Sequence, residues 1–306
     1  MVRIMPTLSR IPRSSSSLLR VLMTLSVIIF VTIGLVSPAA GGEHAFVVKY
    51  EPGPLPHDPD DPRWNALSSR TIALMGQLVV APLHGEPSVT AITITGVHNG
   101  QAIAWRLDWA DQTDDRIRTL DRFPDGVAVQ IPYDPSSLPS ITMGEPDKRV
   151  MMLHWTADRQ TDVDRGYVEL PHVYPHWTWE WYPHARPPYR YPHDWRSAAG
   201  LEYLGGSRRA DRALANSPVR EGFAEGYSSL TWKSKTAARG IGRYAHGHWT
   251  VVLLRPFEAP GTSNPQWGPG QTAALSVAVW DGGAHEVGGR KAVHYEWIPM
   301  MIEAVP

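Results

Sequence analysis

Val89-Thr90-Ala91-Ile92-Thr93-Ile94-Thr95-Gly96-Val97, then His98-Asn99-Gly100, then Gln101-Ala102-Ile103-Ala104-Trp105-Arg106-Leu107-Asp108-Trp109 decides the fold class. β-Branched and apolar residues alternate with polar ones in the first arm. In the second arm Ile103, Trp105, Leu107 and Trp109 share one face, because successive side chains of a strand point to opposite sides. Asn-Gly between two such runs is the strongest short-range hairpin signal. The same period of two recurs upstream in Thr71–Val80. Downstream it returns in Val127–Ile131, Val150–Trp155, Trp249–Leu254, Ala273–Trp280 and Lys291–Ile302. Short strands separated by Gly, Pro and Asp turns argue for an all-β chain, a β-sandwich or barrel. Helix is expected only in short pieces, near Ala198–Tyr203 and Ser207–Ala215.

Two stretches break the pattern. Glu51–Trp64 carries Pro52, Pro54, Pro56, Pro59 and Pro62 among aspartates, which forbids a regular helix and predicts a turn-rich strap. Gly166–Arg196 mixes Trp177, Trp179, Trp181 and Trp195 with tyrosines, histidines and prolines. It reads as a long aromatic loop insertion lying on the sandwich surface.

The N-terminus has a different character. Arg3, Arg10, Arg13 and Arg20 precede or open the apolar run Val21–Val36, and Ser37-Pro38-Ala39-Ala40-Gly41 supplies small residues. That order predicts a secretory signal over 1–41 and a mature domain over 42–306 in an extracytoplasmic, periplasmic setting. The run of 16 residues is shorter than the roughly 20 of a spanning helix. An uncleaved anchor is the alternative; no later run reaches membrane length. With no cysteine, the chain has no disulfides, no iron–sulfur cluster of its own and no covalent c-type haem. Its 29 basic and 30 acidic residues give no basic footprint for nucleic acid.

Three groups of residues carry candidate chemistry. Alternation places Lys291, Val293, Tyr295 and Trp297 on one face of the last strand, and a lysine on an apolar face is costly. Either Lys291 snorkels at a strand end, or burial lowers its pKa and its neutral amine ligates a metal. Met143 sits in the loop Thr142-Met143-Gly144-Glu145-Pro146, either plugging a gap or offering a soft thioether ligand. His172, His176, His184 and His193 are close enough in sequence to suggest a metal, although proline-punctuated loops also scatter histidines. His154, in an alternating strand, reads as a packed histidine and as the reserve ligand. Hydrolase signatures such as Gly-x-Ser-x-Gly and His-Glu-x-x-His are missing. An exported β-sandwich with 13 tryptophans also fits a carbohydrate- or ligand-binding module, with Trp177, Trp179 and Trp181 as the platform.

An ordered set of short segments runs through the mature chain. It begins with Asp58-Pro59-Asp60-Asp61-Pro62-Arg63-Trp64, Ile103–Trp109, Asp125-Gly126-Val127-Ala128-Val129-Gln130, Met143-Gly144-Glu145-Pro146 and His154-Trp155-Thr156-Ala157-Asp158. It continues with Ala224-Glu225-Gly226-Tyr227, His248-Trp249-Thr250-Val251-Val252, Ala278-Val279-Trp280-Asp281-Gly282 and Gly288-Gly289-Arg290-Lys291. The set resembles the haem b-binding gamma subunits of the periplasmic type II dimethyl sulfoxide reductase family, those of ethylbenzene dehydrogenase, selenate reductase, chlorate reductase and dimethyl sulfide dehydrogenase. The resemblance implies a β-sandwich holding one haem b, with Met143 and Lys291 as the two iron ligands. Alternation points Arg290 the other way from Lys291, and its position near the strand start would let it meet a haem propionate. The resemblance further implies an electron-transfer subunit of an oxidoreductase complex. Its partners would be a molybdenum–pterin catalytic subunit, an iron–sulfur subunit and a cytochrome c or other electron carrier.

Overall fold

The hairpin turn is built as its sequence requires. The Asn99 side-chain oxygen accepts from the Gln101 and Ala102 amides at 3.0 and 2.9 Å, and Gly100 takes a φ of +86°. The arms it joins are β4 (Ala91–His98) and β5 (Ala102–Ala110), paired antiparallel. The protein is described by a computed structural model over residues 45–167, 176, 216–259 and 264–306. The segment 1–41, all of Gly166–Arg196 except Gly166, Tyr167 and His176, and the two stretches expected as short helices lie outside the described residues.

The remaining strands are β1 (Phe46–Tyr50), β2 (Ser69–Ala73), β3 (Met75–Gly76), β6 (Gly126–Pro132), β7 (Val150–Thr156), β8 (Val219–Ala224), β9 (Thr231–Trp232), β10 (Arg239–Ala245), β11 (His248–Pro256), β12 (Thr272–Trp280), β13 (Ala292–Val293) and β14 (Ile298–Ile302). Among the described residues one α-helix, α1 (Ala157–Arg165), follows β7. Hydrogen bonding runs in the order β10-β11-β5-β4-β1-β14-β12-β6-β7-β8-β9. Two strands carry the path from one layer to the other. β1 pairs with β14 through Phe46–Val48 and with β4 through Lys49 and Tyr50. β12 pairs with β14 through its first half and with β6 through Ser276–Trp280.

The core lies between the layers. Ile92, Ile94, Ile103, Trp105, Leu107, Trp109, Trp249, Val251 and Leu253 of one layer meet Val127, Val129, Ile131, Met151, Leu153, Trp155, Leu275, Val277 and Val279 of the other. Trp109 and Trp249 stack at 6.3 Å, and Trp155 meets Trp249 edge-on at 4.9 Å. A β-carbon on Gly242 of β10 would come within 2.1 Å of the Trp155 ring, so only glycine fits there. The proline-rich strap ends in a short 3-10 turn over Pro62–Ala66. It drops Trp64 onto Val97, Ala104 and Val252, closing the outer face of the β4-β5-β11 layer.

The all-β sandwich expected from the alternation is therefore the architecture. The last strand differs from its expectation: Lys291–Ile302 is two strands, interrupted at residues 294–297. His294 leaves the ladder with its ring nitrogen Nδ1 at 3.0 Å from the Ala73 carbonyl.

One buried carboxylate ties the layers together. Asp125, fully buried, accepts from the Asp115 amide at 2.7 Å, the Trp249 indole at 2.9 Å and the Gly282 amide at 2.8 Å. Asp111 and Asp281 bring carboxylate oxygens within 4.8 Å of one another and of Asp125. Burial, reinforced by Asp111, pushes Asp125 up to about 8 in spite of its three donors. Burial, reinforced by Asp281 and Asp115, pushes Asp111 up to about 6. An acid whose pKa is higher when folded binds its proton more tightly in the native state. The stability it gives is complete below about pH 4 and is lost as pH rises through the folded value. Between pH 6.5 and 8, where this loss falls, urea midpoints should therefore drop by the equivalent of about 1 kcal/mol. Asp111→Asn, which removes the charge that most opposes Asp125, should flatten that slope; an equal slope in parent and variant would refute the coupling.

Candidate functional site

The outer face of the second layer is where the fold leaves room. Along β6, β7 and β12, every second residue enters the core and the others face away from it. The outward residues are Gly126, Ala128 and Gln130; Met152, His154 and Thr156; and Ser276, Ala278 and Trp280. The register sets Ala128 against Ala278, Gly126 against Trp280 and Gln130 against Ser276. Small side chains in the middle strands make a floor, and larger ones from neighbouring elements make walls around it. The result is a cavity of about 630 Å³. That size is in the range of small-molecule and cofactor sites.

Met143 and Lys291 both line this cavity. Met143 comes from the loop between β6 and β7, and holds a φ of +71°, unusual for a residue with a side chain. The loop is pinned there. The Met143 carbonyl accepts from the Gly226 amide at 2.8 Å, and the Gly144 amide donates to Ser140 at 3.0 Å. A β-carbon on Gly144 would meet the Ala224 and Lys148 carbonyls at 2.9 Å, which explains why glycine follows the methionine. The Met143 side chain packs with Leu230 and Trp297 over Val150, Met152 and Ala224.

Lys291 immediately precedes β13 on the opposite side of β12 from β6. Among the described residues it has no ion pair. Its ammonium stands 5.2 Å from the centre of the Trp280 ring. Desolvation alone lowers its pKa to about 8, which brings the neutral, lone-pair form of the amine within reach. Val293 and Tyr295 line the same cavity, and Tyr295 fixes the adjoining loop by accepting from the Leu78 amide at 3.0 Å. Trp297, placed on that face by alternation, packs beside Met143 instead.

His154 faces the cavity between two indoles, stacked on Trp232 at 5.8 Å and tilted on Trp280 at 4.9 Å. Burial, then the positive charges of Arg118, Arg220 and Lys291, lower it to about 3, against a smaller opposing effect of Asp158. It is a packed, neutral histidine, as its strand position suggested. Arg290 is not part of the cavity wall; its guanidinium lies over the Phe123 ring at 6.0 Å. Of the four histidines of the aromatic stretch, His176 is exposed and His172, His184 and His193 lie outside the described residues, as do Trp177, Trp179 and Trp181. Arg118, Trp232 and Trp280 line the cavity without having been singled out by sequence reasoning. Arg118 lies in the irregular segment between β5 and β6, where no period marks a face.

The sequence model of the ethylbenzene dehydrogenase family matches residues 61–292, a span that includes both Met143 and Lys291. The chain belongs to the ethylbenzene dehydrogenase family. Relatives within reach of this family assignment are similarly distant in sequence. A putative respiratory nitrate reductase heme subunit of Haloferax mediterranei is 23% identical over 79% of this chain and 67% of its own length. The dimethylsulfide dehydrogenase subunit gamma of Rhodovulum sulfidophilum is 22% identical over 79% of this chain and 74% of its own. The chlorate reductase subunit gamma of Ideonella dechloratans is 23% identical over 63% and 56%. Among solved structures, a family 9 carbohydrate-binding module from Caldicellulosiruptor kristjanssonii overlaps 85% of this chain and 97% of its own at a TM-score of 0.40 and 6% identity, too low to carry function.

An unpaired, desolvated lysine costs the fold stability that a neutral side chain of similar length would not. Lys291→Met should raise the urea midpoint of the ligand-free chain at pH 7 by the equivalent of about 1 kcal/mol. A lower midpoint would mean that the ammonium contributes to the fold through a contact not described above.

Proposed function

We propose that this chain is an electron-transfer subunit whose cavity on the outer face of β6, β7 and β12 would hold one haem b, with Met143 and Lys291 as the residues that would ligate its iron. The observation that carries the reading is that these two residues, far apart in sequence and each out of place by ordinary packing rules, line one cavity. Thioether and amine are both neutral donors, so no anionic side chain needs to be buried at the metal. Met143 is offered by a pinned loop and Lys291 by a strand end, so both directions are set by backbone rather than by flexible side chains alone. Trp280, Trp232, Val293 and Met152 give apolar walls, and Ala128 and Ala278 leave room for a flat ring. The bound haem supplies one-electron chemistry whose potential follows the axial ligands, burial and hydrogen bonding. The names of the relatives, a heme subunit and two gamma subunits of oxidoreductases, support the same reading.

In this reading the chain passes electrons between the iron–sulfur subunit of a molybdenum–pterin enzyme and an external carrier such as cytochrome c. The lack of cysteine requires any iron–sulfur cluster to sit in a partner. The arginine-then-apolar-then-small N-terminus supports export to the periplasm. Among the described residues no helix is long and apolar enough to cross a membrane.

Reconstitution of the full chain with haemin tests the ligation. The parent should give a low-spin spectrum. Met143→Ala and Lys291→Ala should each lose that spectrum or weaken haem binding by about 10-fold or more, whereas Lys235→Ala should match the parent. A Lys291→Ala protein with an unchanged low-spin spectrum would reject the assignment, and loss of the spectrum in His154→Ala would then make His154 the ligand.

A further inference from the structure

The cavity wall carries a cation that the ligation does not use. Arg118 lines the cavity, and its Nε donates to the Asp158 carboxylate at 2.7 Å. Asp158 is a rigid support. It is 1% exposed, opens the first turn of α1, and its other oxygen accepts from the Thr156 hydroxyl at 2.6 Å and the Arg159 amide at 2.9 Å. Among the described residues only Nε of Arg118 has a hydrogen-bond partner, and its two terminal nitrogens have none. The guanidinium is thus half-exposed and fixed at one edge, with its free fork available to a carboxylate.

The other charged groups around the cavity are already used. Glu286 is buried, with one oxygen 2.8 Å from His84 and 3.2 Å from the Ser88 hydroxyl, and the other accepting from the Asp281 amide. Lys291 is assigned to the metal, and Arg290 lies off the wall over Phe123. The positive influence of Arg118 and Arg220 on His154 exceeds what Asp158 returns, so this end of the cavity favours an anion. A tetrapyrrole has an apolar ring and carboxylate arms, and the arms need such an end.

We propose that Arg118, positioned by Asp158, binds a carboxylate of the ligand in this cavity, a haem propionate on the reading above. The assignment replaces Arg290, which sequence adjacency to Lys291 had suggested, and it rests on the haem reading without being part of it.

The test compares two probes in the full-length, cofactor-free chain: haemin and haemin dimethyl ester, which has the same ring and no free carboxylate. Arg118→Ala should raise the Kd for haemin by about 10-fold, the loss of one charge-assisted contact. It should change the Kd for the ester by less than about 2-fold. Arg118→Lys should recover part of the haemin affinity, and Arg290→Ala should leave both affinities as in the parent. Haemin binding unchanged by Arg118→Ala, or an equal loss for both probes, overturns the proposal while leaving the haem reading intact. A parent chain that binds neither probe overturns the haem reading itself.

Discussion

The buried carboxylate of Asp125 is the constraint on which the rest of the molecule depends. It stands at the start of β6, one residue before the cavity floor begins at Gly126. Its three donors come from the β5–β6 segment, from the indole of Trp249 in the opposite layer, and from the turn after β12. The distance between the layers, the entry of β6 and the exit of β12 are all fixed at one point. An ionised acid buried among other acids is unfavourable, and Asp125 is tolerated there because its pKa is pushed up to about 8 and three donors are aimed at it. The Gly282 bond joins the start of β6 to the turn after β12, beside the ladder whose register puts Ala128 opposite Ala278 in the floor.

Much of the fold was legible because the sandwich core follows a strict period of two. β4 and β5, the centre of the first layer, are plain in the sequence, as are β6, β7, β11 and β12. Three of the elements that were missed carry a reason. β10 contains Gly240 and Gly242, which weaken its strand pattern and are there because Val219 and Trp155 approach the backbone. β8 carries Glu221 in a buried network with Arg255 and Lys233, at 3.1 and 2.6 Å. Burial pushes Glu221 up, yet Arg255 and Lys233 outweigh it and hold the carboxyl below its ordinary value. A charged residue in mid-strand hides the period. α1 has no apolar face: its buried side chains include Asp158, Arg159, Gln160 and Asp162, bound by tertiary partners that no local pattern encodes.

The two residues proposed as ligands were conspicuous in the sequence for the opposite reason, and the fold brings both to one cavity. Met143 and Lys291 stood out as residues ill-suited to their surroundings, a methionine in a Gly/Pro loop and a lysine on an apolar face. Arg118 did not stand out. An arginine in a polar, irregular segment is ordinary, and its meaning comes from Asp158, 40 residues away. Arg290, adjacent to Lys291 in sequence, has its guanidinium over the Phe123 ring.

The small-residue floor has a consequence for the order of assembly. Ala128 and Ala278 turn their side chains away from the sandwich core, and their neighbours Val127, Val129, Val277 and Val279 complete that core by themselves. The sandwich can therefore close around its tryptophans before anything occupies the outer face. An occupant of the cavity would meet a finished surface that lies outside the packed interior.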